Sequence, residues 1–262
     1  MISVLQLETL DYATGVALQE KLVGMRKEGR IGDVLLLLEH RPVVTLGRNA
    51  KPANVIASRE ALAERGVEMF ACDRGGDVTF HGPGQLVGYP IFDLRGFPSE
   101  AGHRKTLGAV EYVRKLEEVL IRTCGEFHIP AGRVAGLTGA WTARGTATEP
   151  GEAKIAAIGV HISRGVTSHG FALNVNTDLH YFDLIVPCGI ADKPVTSMQK
   201  ELGRAVAMEQ VAHSVARNFG QVFGSQILWL ESLDALEPKV GVPARPPAEL
   251  RELHGQDETR WA

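Results

Sequence analysis

The sequence predicts an α+β fold, on three observations. Strand-like and helical runs follow one another without the regular strand–helix–strand alternation of a doubly wound sheet. No GxxxxGK[ST] occurs, and the glycines at 82, 84 and 88 miss the GxGxxG spacing, so neither nucleotide-binding fingerprint is met. The 262 residues are 44% apolar, enough for a sizeable core in one large domain or two small ones.

Each element has a local reason. ISVLQLE reads as a first strand. DYATGVALQEKLVGMRKEG reads as a helix, with Ala17, Leu18 and Leu22 on one face and Gly29 as its stop. DVLLLLEH is apolar through its middle, which suits a central strand; PVVTLG follows after a break at Arg41-Pro42. SREALAERG is a short helix with Ser58 as N-cap. VEMFACD and QLVGYPIFDL are strands on either side of a glycine-rich stretch, RGGDVTFHGPGQ. TLGAVEYVRKLEEVLIRTCGEF is the longest helix, its stripe formed by Val113, Leu116, Leu120 and Cys124. From Ala131 to Glu152 the composition predicts strands joined by an exposed loop at RGTATEPGE. AKIAAIGVHIS and SHGFALNVNTD are strands about a turn at Arg164-Gly165. MEQVAHSVARNFGQVFG is a late helix, with Met208, Val211, Val215, Phe219 and Val222 on one side. Residues 231–262 are proline-rich and charged and read as a loosely packed tail on a domain spanning 1–230.

Composition narrows the function. Lys+Arg number 28 against Asp+Glu 31, a net charge of -3, so the whole chain carries no signature of nucleic-acid or membrane binding. Local basic groups, Arg41 with Arg48 and Lys51, then Arg104 with Lys105, suit either solvated surface or an acidic partner. Three cysteines without paired spacing argue for a reducing compartment and against a thiolate zinc site. The N-terminus lacks a basic start and a long apolar run, and no window suits a membrane helix, so a cytoplasmic protein is expected.

Three places carry candidate chemistry. Cys188 lies in LIVPCGI, where a proline before it and a glycine after it favour a sharp turn that presents the thiol; a buried core cysteine is the plainer alternative, and it is the reading given to Cys72 and Cys124. Lys154 enters an apolar strand. It is either an exposed edge lysine that blocks aggregation or a desolvated amine able to move a proton. His81, His169 and Cys188 match no compact zinc spacing.

Together, RGGDVTFHGPGQLVGYPIFDL, KIAAIGV, SHGFALNVNTDL, and VPCGI with VTSMQKELGR resemble the octanoyltransferase family, the lipoyl(octanoyl) transferases, in the family's order and over roughly residues 4–225. Phe80 departs from the pattern, since the family usually has tyrosine before the histidine. The resemblance implies the biotin/lipoate protein ligase-like fold, with a large mixed sheet, a small sheet and flanking helices. It implies transfer of an octanoyl group from octanoyl-acyl carrier protein to a lysine of lipoyl domains, those of 2-oxoacid dehydrogenase E2 subunits and of glycine cleavage H protein. It places the acyl-carrying cysteine at Cys188 and the lysine that tunes it at Lys154. Substrate-binding segments fall on Arg74, Gly75, Gly76, Asp77, Val78, Thr79, Phe80 and His81, on Ala157, Ile158 and Gly159, and on Gly170, Phe171 and Ala172. No cofactor or metal is implied.

The residue types suit that chemistry. Thioester exchange onto Cys188, then attack by an amine, needs no ATP. A free thiol titrates near ~8.5, so a neighbouring ammonium would hold Cys188 ionised. Gly75, Gly76, Gly82 and Gly84 are expected to form a wall of backbone N–H groups, with His81 orienting the acyl carbonyl or protonating the leaving thiol. Val78 and Phe80 alternate with Thr79, so one face of that stretch is expected to meet the acyl chain. Ile158 and Phe171 are expected in its slot. The alternatives are an ATP-dependent lipoate or biotin ligase, a non-catalytic acyl-binding homologue, and a zinc hydrolase.

Overall fold

A computed structural model describes residues 1–100, 105–146, 149–187 and 193–237. Eleven named strands and five α-helices occur among them. In chain order they are β1 (Ile2–Gln6), α1 (Tyr12–Lys27), β2 (Asp33–Leu38), β3 (Val43–Leu46), α2 (Arg59–Glu64), β4 (Glu68–Ala71), β5 (Val78–His81) and β6 (Gln85–Ile91). Then come α3 (Ala109–Glu126), β7 (Ala131–Val134), β8 (Leu137–Thr146), β9 (Glu149–Ser163), β10 (Val166–Asn174), α4 (Met198–Leu202), α5 (Met208–Val222) and β11 (Ile227–Trp229).

Eight strands form a mixed sheet in the order β11-β1-β2-β6-β10-β9-β8-β7. β11, β1 and β2 run parallel and the remaining pairs are antiparallel. A second sheet has the order β4-β3-β5. The α+β architecture predicted from sequence is the one observed, and β2 lies inside the large sheet with Val34 through Leu38 buried.

Helices α3 and α5 cover one face of the large sheet. Leu116, Leu120 and Cys124 of α3 meet Val211, Val215 and Phe219 of α5 over Leu35, Leu37, Phe171 and Leu173. Fully burying such side chains stabilises by roughly 1.5–3 kcal/mol each before ordering costs. The opposite face carries α1 and the small sheet. There Leu22 and Met25 pack on Val34, Leu36, Val87 and Ile91, while Val44, Val78, Phe80 and Phe182 form a separate core.

The caps agree with the residue types. Asp11 accepts from Thr14 N at 2.8 Å and Ser58 from Ala61 N at 3.2 Å. The Arg164-Gly165 turn has both residues at positive φ, 52° and 85°, the geometry of a tight hairpin between β9 and β10.

Three elements differ from expectation. On α1 the buried residues are Tyr12, Gly15, Gln19, Leu22 and Met25, and Ala17 is exposed. The face is set by what it touches: a Cβ on Gly15 would lie 2.8 Å from His40 Cε1, and Gln19 accepts a hydrogen bond from β10. Most of the stretch expected to loop, RGTATEPGE, is paired instead, with Arg144 opposite Gly151 and Thr146 opposite Glu149; residues 147–148 lie outside the described set. Past residue 230, where a loose tail was expected, a turn at Leu233–Leu236 buries Leu236 in the α1-side core; residues 238–262 lie outside the described set.

Candidate active site

The glycine-rich stretch is the seam between the two sheets. Gly75 N–H donates to Val160 O of β9 at 3.0 Å. A Cβ on Gly159 would stand 2.7 Å from Gly75 O. The 74–77 turn therefore lies directly on the large sheet, which only glycine at these positions permits. Beneath the seam is a cavity lined by Tyr12, Arg74, Gly75, Gly76, Asp77, Thr79, His81, Val87, Tyr89, Ala157, Ile158, Gly159, His169, Gly170, Phe171 and Ala172. Twelve of the fourteen residues named as substrate-binding border it. The exceptions are Val78 and Phe80.

Strand alternation explains the exceptions. Thr79 and His81 of β5 face the cavity, so Val78 and Phe80 turn into the small-sheet core. Phe80 stacks on Tyr181, ring centroids 4.6 Å apart, and meets Phe182 edge-on. A Cβ on Gly82 would sit 2.5 Å from Phe80 Cζ, so a para-hydroxyl would crowd the backbone there. Ile158 and Phe171 border the cavity but also belong to the core under α3 and α5.

The expected wall of N–H donors is only partly in place. Gly82 and Gly84 do not line the cavity, Gly84 N–H is spent on Glu39 at 2.6 Å, and Gly75 N–H on Val160. Gly75 and Gly76 serve close approach. Asp77 accepts from Lys51 N and Val78 N and ties down the loop beside β3. The Arg74 guanidinium is buried on Thr45 Oγ1 and O, at 2.8 and 2.7 Å, and on Gly75 O at 3.1 Å.

His81 has a defined tautomer. Gln85 Nε2 donates to Phe80 O and Asn174 Oδ1, which fixes Gln85 Oε1 as an acceptor 2.8 Å from His81 Nδ1. Nδ1 therefore carries the hydrogen and Nε2 is left as an acceptor. Burial, with the charges of His40 and Arg74 adding to it, holds the ring well below the ordinary histidine range. His81 is neutral near pH 7, so the donor roles expected for it would need a ring that the site disfavours.

Lys154 is buried, and the exposed-edge alternative does not hold: β9 lies between β10 and β8. Its direction comes from a β-bulge. Ala140 pairs with Ala156 but Trp141 pairs with Lys154, so β9 carries one extra residue at Ile155. Ile155 and Ala156 both enter the helix-side core. Lys154 is thereby turned to the same side as Ala157. It lines a small cavity with Thr79, Gln85, Ala157, Ala172, Asn174, Phe182, Pro187 and Val195. Thr79, Ala157 and Ala172 are shared with the larger cavity, and Pro187 immediately precedes Cys188. Cys188 itself lies outside the described residues. Of the other cysteines, Cys124 is sealed in the core with burial pushing its thiol up to about 12, and Cys72 is part-buried with its thiol on Leu46 O.

Several residues in the cavity wall and behind it were not singled out from sequence. His169, which the sequence offers as a weak zinc ligand or a hydrogen-bonded core residue, is held at φ 55° with its N–H on Gln19 Oε1 at 2.7 Å and its Nε2 on Asp73 Oδ1 at 2.7 Å. His161 also meets Asp73, at 3.4 Å, and Arg48 reaches His161. His40 Nδ1 donates to Leu10 O at 3.0 Å, so its Nε2 accepts from Tyr89 Oη at 2.6 Å. Tyr12 stacks on His81 at 5.9 Å. Among the described residues no three His, Cys, Asp or Glu side chains gather as a metal site.

Residues 11–220 match the lipoyl protein ligase A/B catalytic domain. The chain is 62% identical over 258 residues to an octanoyltransferase of Koribacter versatilis, covering 98% of each. It is 61% identical to an octanoyltransferase of Acidobacterium capsulatum, covering 92% of this chain and 97% of that one. Among solved structures, a bipartite lipoate protein ligase from Thermoplasma acidophilum superposes with a TM-score of 0.64 at 17% identity, covering 89% of both chains. A lipoate-protein ligase A crystallised with ATP gives 0.63 at 16%, covering 88% of this chain and 87% of that one; at such identities these show the fold. The chain belongs to the lipoyl protein ligase A/B catalytic domain family and, within it, to the octanoyltransferases, acyltransferases of protein lipoylation.

Proposed function

We propose that this enzyme takes an octanoyl group from octanoyl-acyl carrier protein onto Cys188 and passes it to the target lysine of lipoyl domains, those of 2-oxoacid dehydrogenase E2 subunits and glycine cleavage H protein. The single observation that carries the assignment of roles is the bulge at Ile155. It turns Lys154 from the helix-side core toward a cavity bordered by Pro187, the neighbour of Cys188.

In the first step the Cys188 thiolate attacks the donor thioester, a new C–S bond forms, the bond from the acyl carbon to the carrier sulfur breaks, and the Lys154 ammonium gives its proton to the departing carrier thiolate, which leaves Lys154 as a neutral amine. In the second, the acceptor lysine attacks the enzyme thioester, the amide forms, and Cys188 leaves as thiolate. The amine proton passes to Lys154, whose ammonium then partners the released thiolate. Neutral His81, with Nε2 as an acceptor, suits reception of a hydrogen bond from the incoming amine. The glycine seam holds the acyl chain against Ala157, Gly159, Gly170 and Ala172. We assign the catalytic unit to residues 1–230 and its place to the cytoplasm; no helix among the described residues is long and apolar enough to cross a membrane.

The test is to incubate the protein with octanoyl-acyl carrier protein and no ATP and to weigh it intact. An octanoyl adduct is expected on the natural chain and none on Cys188→Ala. An undiminished adduct on Cys188→Ala removes the nucleophile from this position, and adduct formation only with ATP and free octanoate favours a ligase.

A further inference from the structure

Lys154 does not reach the cavity unaccompanied. Its Nζ stands 4.7 Å from the ring centroid of Trp141, its cross-strand neighbour on β8. Both side chains are buried, Trp141 at 2% and Lys154 at 7% exposure. An ammonium over an aromatic face is attracted by the ring quadrupole, indole most of all, and the attraction grows when water is excluded.

Two further observations give this contact a purpose. The Trp141 indole N–H is buried and has no acceptor among the described residues. A buried donor left so costs stability that leucine or phenylalanine would avoid, so the ring is being used for something those residues supply less well. A second ammonium also approaches: Lys193 Nζ is 5.9 Å from the same centroid, and its charge is taken by Glu152 at 2.5 Å. Glu117, on the helix side of β8, is likewise engaged, by Arg114, Arg133 and Gly139 N–H. The bulge that aims Lys154 is the same register shift that sets Trp141 opposite it.

We infer that Trp141 is a positioning residue of the transferase, its indole face holding the Lys154 ammonium in place for Cys188. The inference rests on the Cys188–Lys154 reading above. Trp141 touches neither substrate nor the reacting sulfur in this account; it acts through Lys154.

The experiment introduces mono-, di- and trifluorotryptophan at position 141, which drain the ring face while keeping its shape. The rate of iodoacetamide alkylation of Cys188 and the rate of acyl-enzyme formation are both read. Each rate is expected to fall stepwise with fluorine number. Trp141→Leu, which removes the face, is expected to slow them on the order of tenfold, with Trp141→Phe between. Lys154→Ala is run alongside. If it slows alkylation and the fluorine series is flat, Trp141 is only core and this inference alone falls. If Lys154→Ala leaves alkylation unchanged, the cysteine–lysine pairing falls and takes the inference with it.

Discussion

The two faces of the large sheet follow different rules. The face under α3 and α5 is mainly hydrocarbon: Phe219 meets Phe92, Phe171 and Phe223 at ring-centroid distances of 5.9, 6.0 and 5.5 Å. The face under α1 and the small sheet carries His40, Arg74, His81, Gln85, Lys154, His169 and Asn174, all buried; hydrogen bonds join His40 to Tyr89, Arg74 to Thr45, His81 to Gln85, Gln85 to Asn174 and His169 to Asp73. One face supplies stability. The other keeps buried polar groups and bare backbone around the cavity.

The largest expected effect breaks the two faces apart. Phe219→Ala should cost about 3–5 kcal/mol of unfolding free energy through lost burial and a cavity, while the surviving folded protein forms acyl-enzyme at the natural rate. Gly159→Ala should do the reverse. Its new methyl meets Gly75 O at 2.7 Å, and a backbone oxygen in a turn already hydrogen-bonded to β9 yields poorly, so overpacking costs about 1–3 kcal/mol while acyl-enzyme formation drops severely. Urea unfolding and intact mass measured on the same two samples decide it. A dead but folded Phe219→Ala, or an active Gly159→Ala, would erase the distinction.

Next comes pH. His40 lies in the α1-side layer, with burial pushing its ring down to about 4. Burial also lowers His81, and it lowers His169 despite the carboxylate of Asp73. Unfolded histidines titrate near ~6.5. Between about 6.5 and 4 the unfolded chain therefore binds more protons than the folded one, so stability is fully present above that window and is lost as pH falls through it. His40 alone accounts for roughly 3 kcal/mol across the window. Urea midpoints from pH 7 to 4.5 should fall, and His40→Gln should flatten the curve. An unchanged slope in that variant would mean His40 is charged in the folded protein. Among the described residues the buried histidines are His40, His81 and His169, all on this side of the sheet.

The same contrast explains what could be read in advance. Leu116, Leu120 and Val215 announce their face because apolar burial repeats with the helix. Lys154 could be placed on β9 but not aimed. A count by twos sets it with Ala156 and Ile158 on the helix side, and the single inserted residue at Ile155 reverses that. Tyr12 and His169 went unread as a group because the cavity assembles them from distant segments, and the Asp73 carboxylate that holds His169 is 96 residues from it. On α1 the apolar stripe misled, since the buried face carries Gly15 and Gln19 where an ordinary core helix would carry aliphatics. The glycine-rich stretch was legible as a special backbone, yet its use is close packing of two sheets more than donation of N–H groups.

Gln19 yields the smallest expected effect and the finest test of the comparison. Its Oε1 accepts from His169 N–H, which holds that residue at a φ that costs a side chain energy. Its Nε2 is buried without a partner among the described residues. Gln19→Leu removes the acceptor, a loss of about 1–3 kcal/mol, and also removes the unsatisfied amide, which returns part of it. The net destabilisation should be about 1 kcal/mol, far below that of Phe219→Ala although both sites are buried helix positions. Acyl-enzyme formation should weaken more than stability does, because the strand that loosens carries His169, Gly170 and Ala172 along the cavity. If Gln19→Leu instead proves as destabilising as a core truncation with its rate intact, Gln19 belongs with the structural face and the division drawn between the two sides of the sheet runs elsewhere.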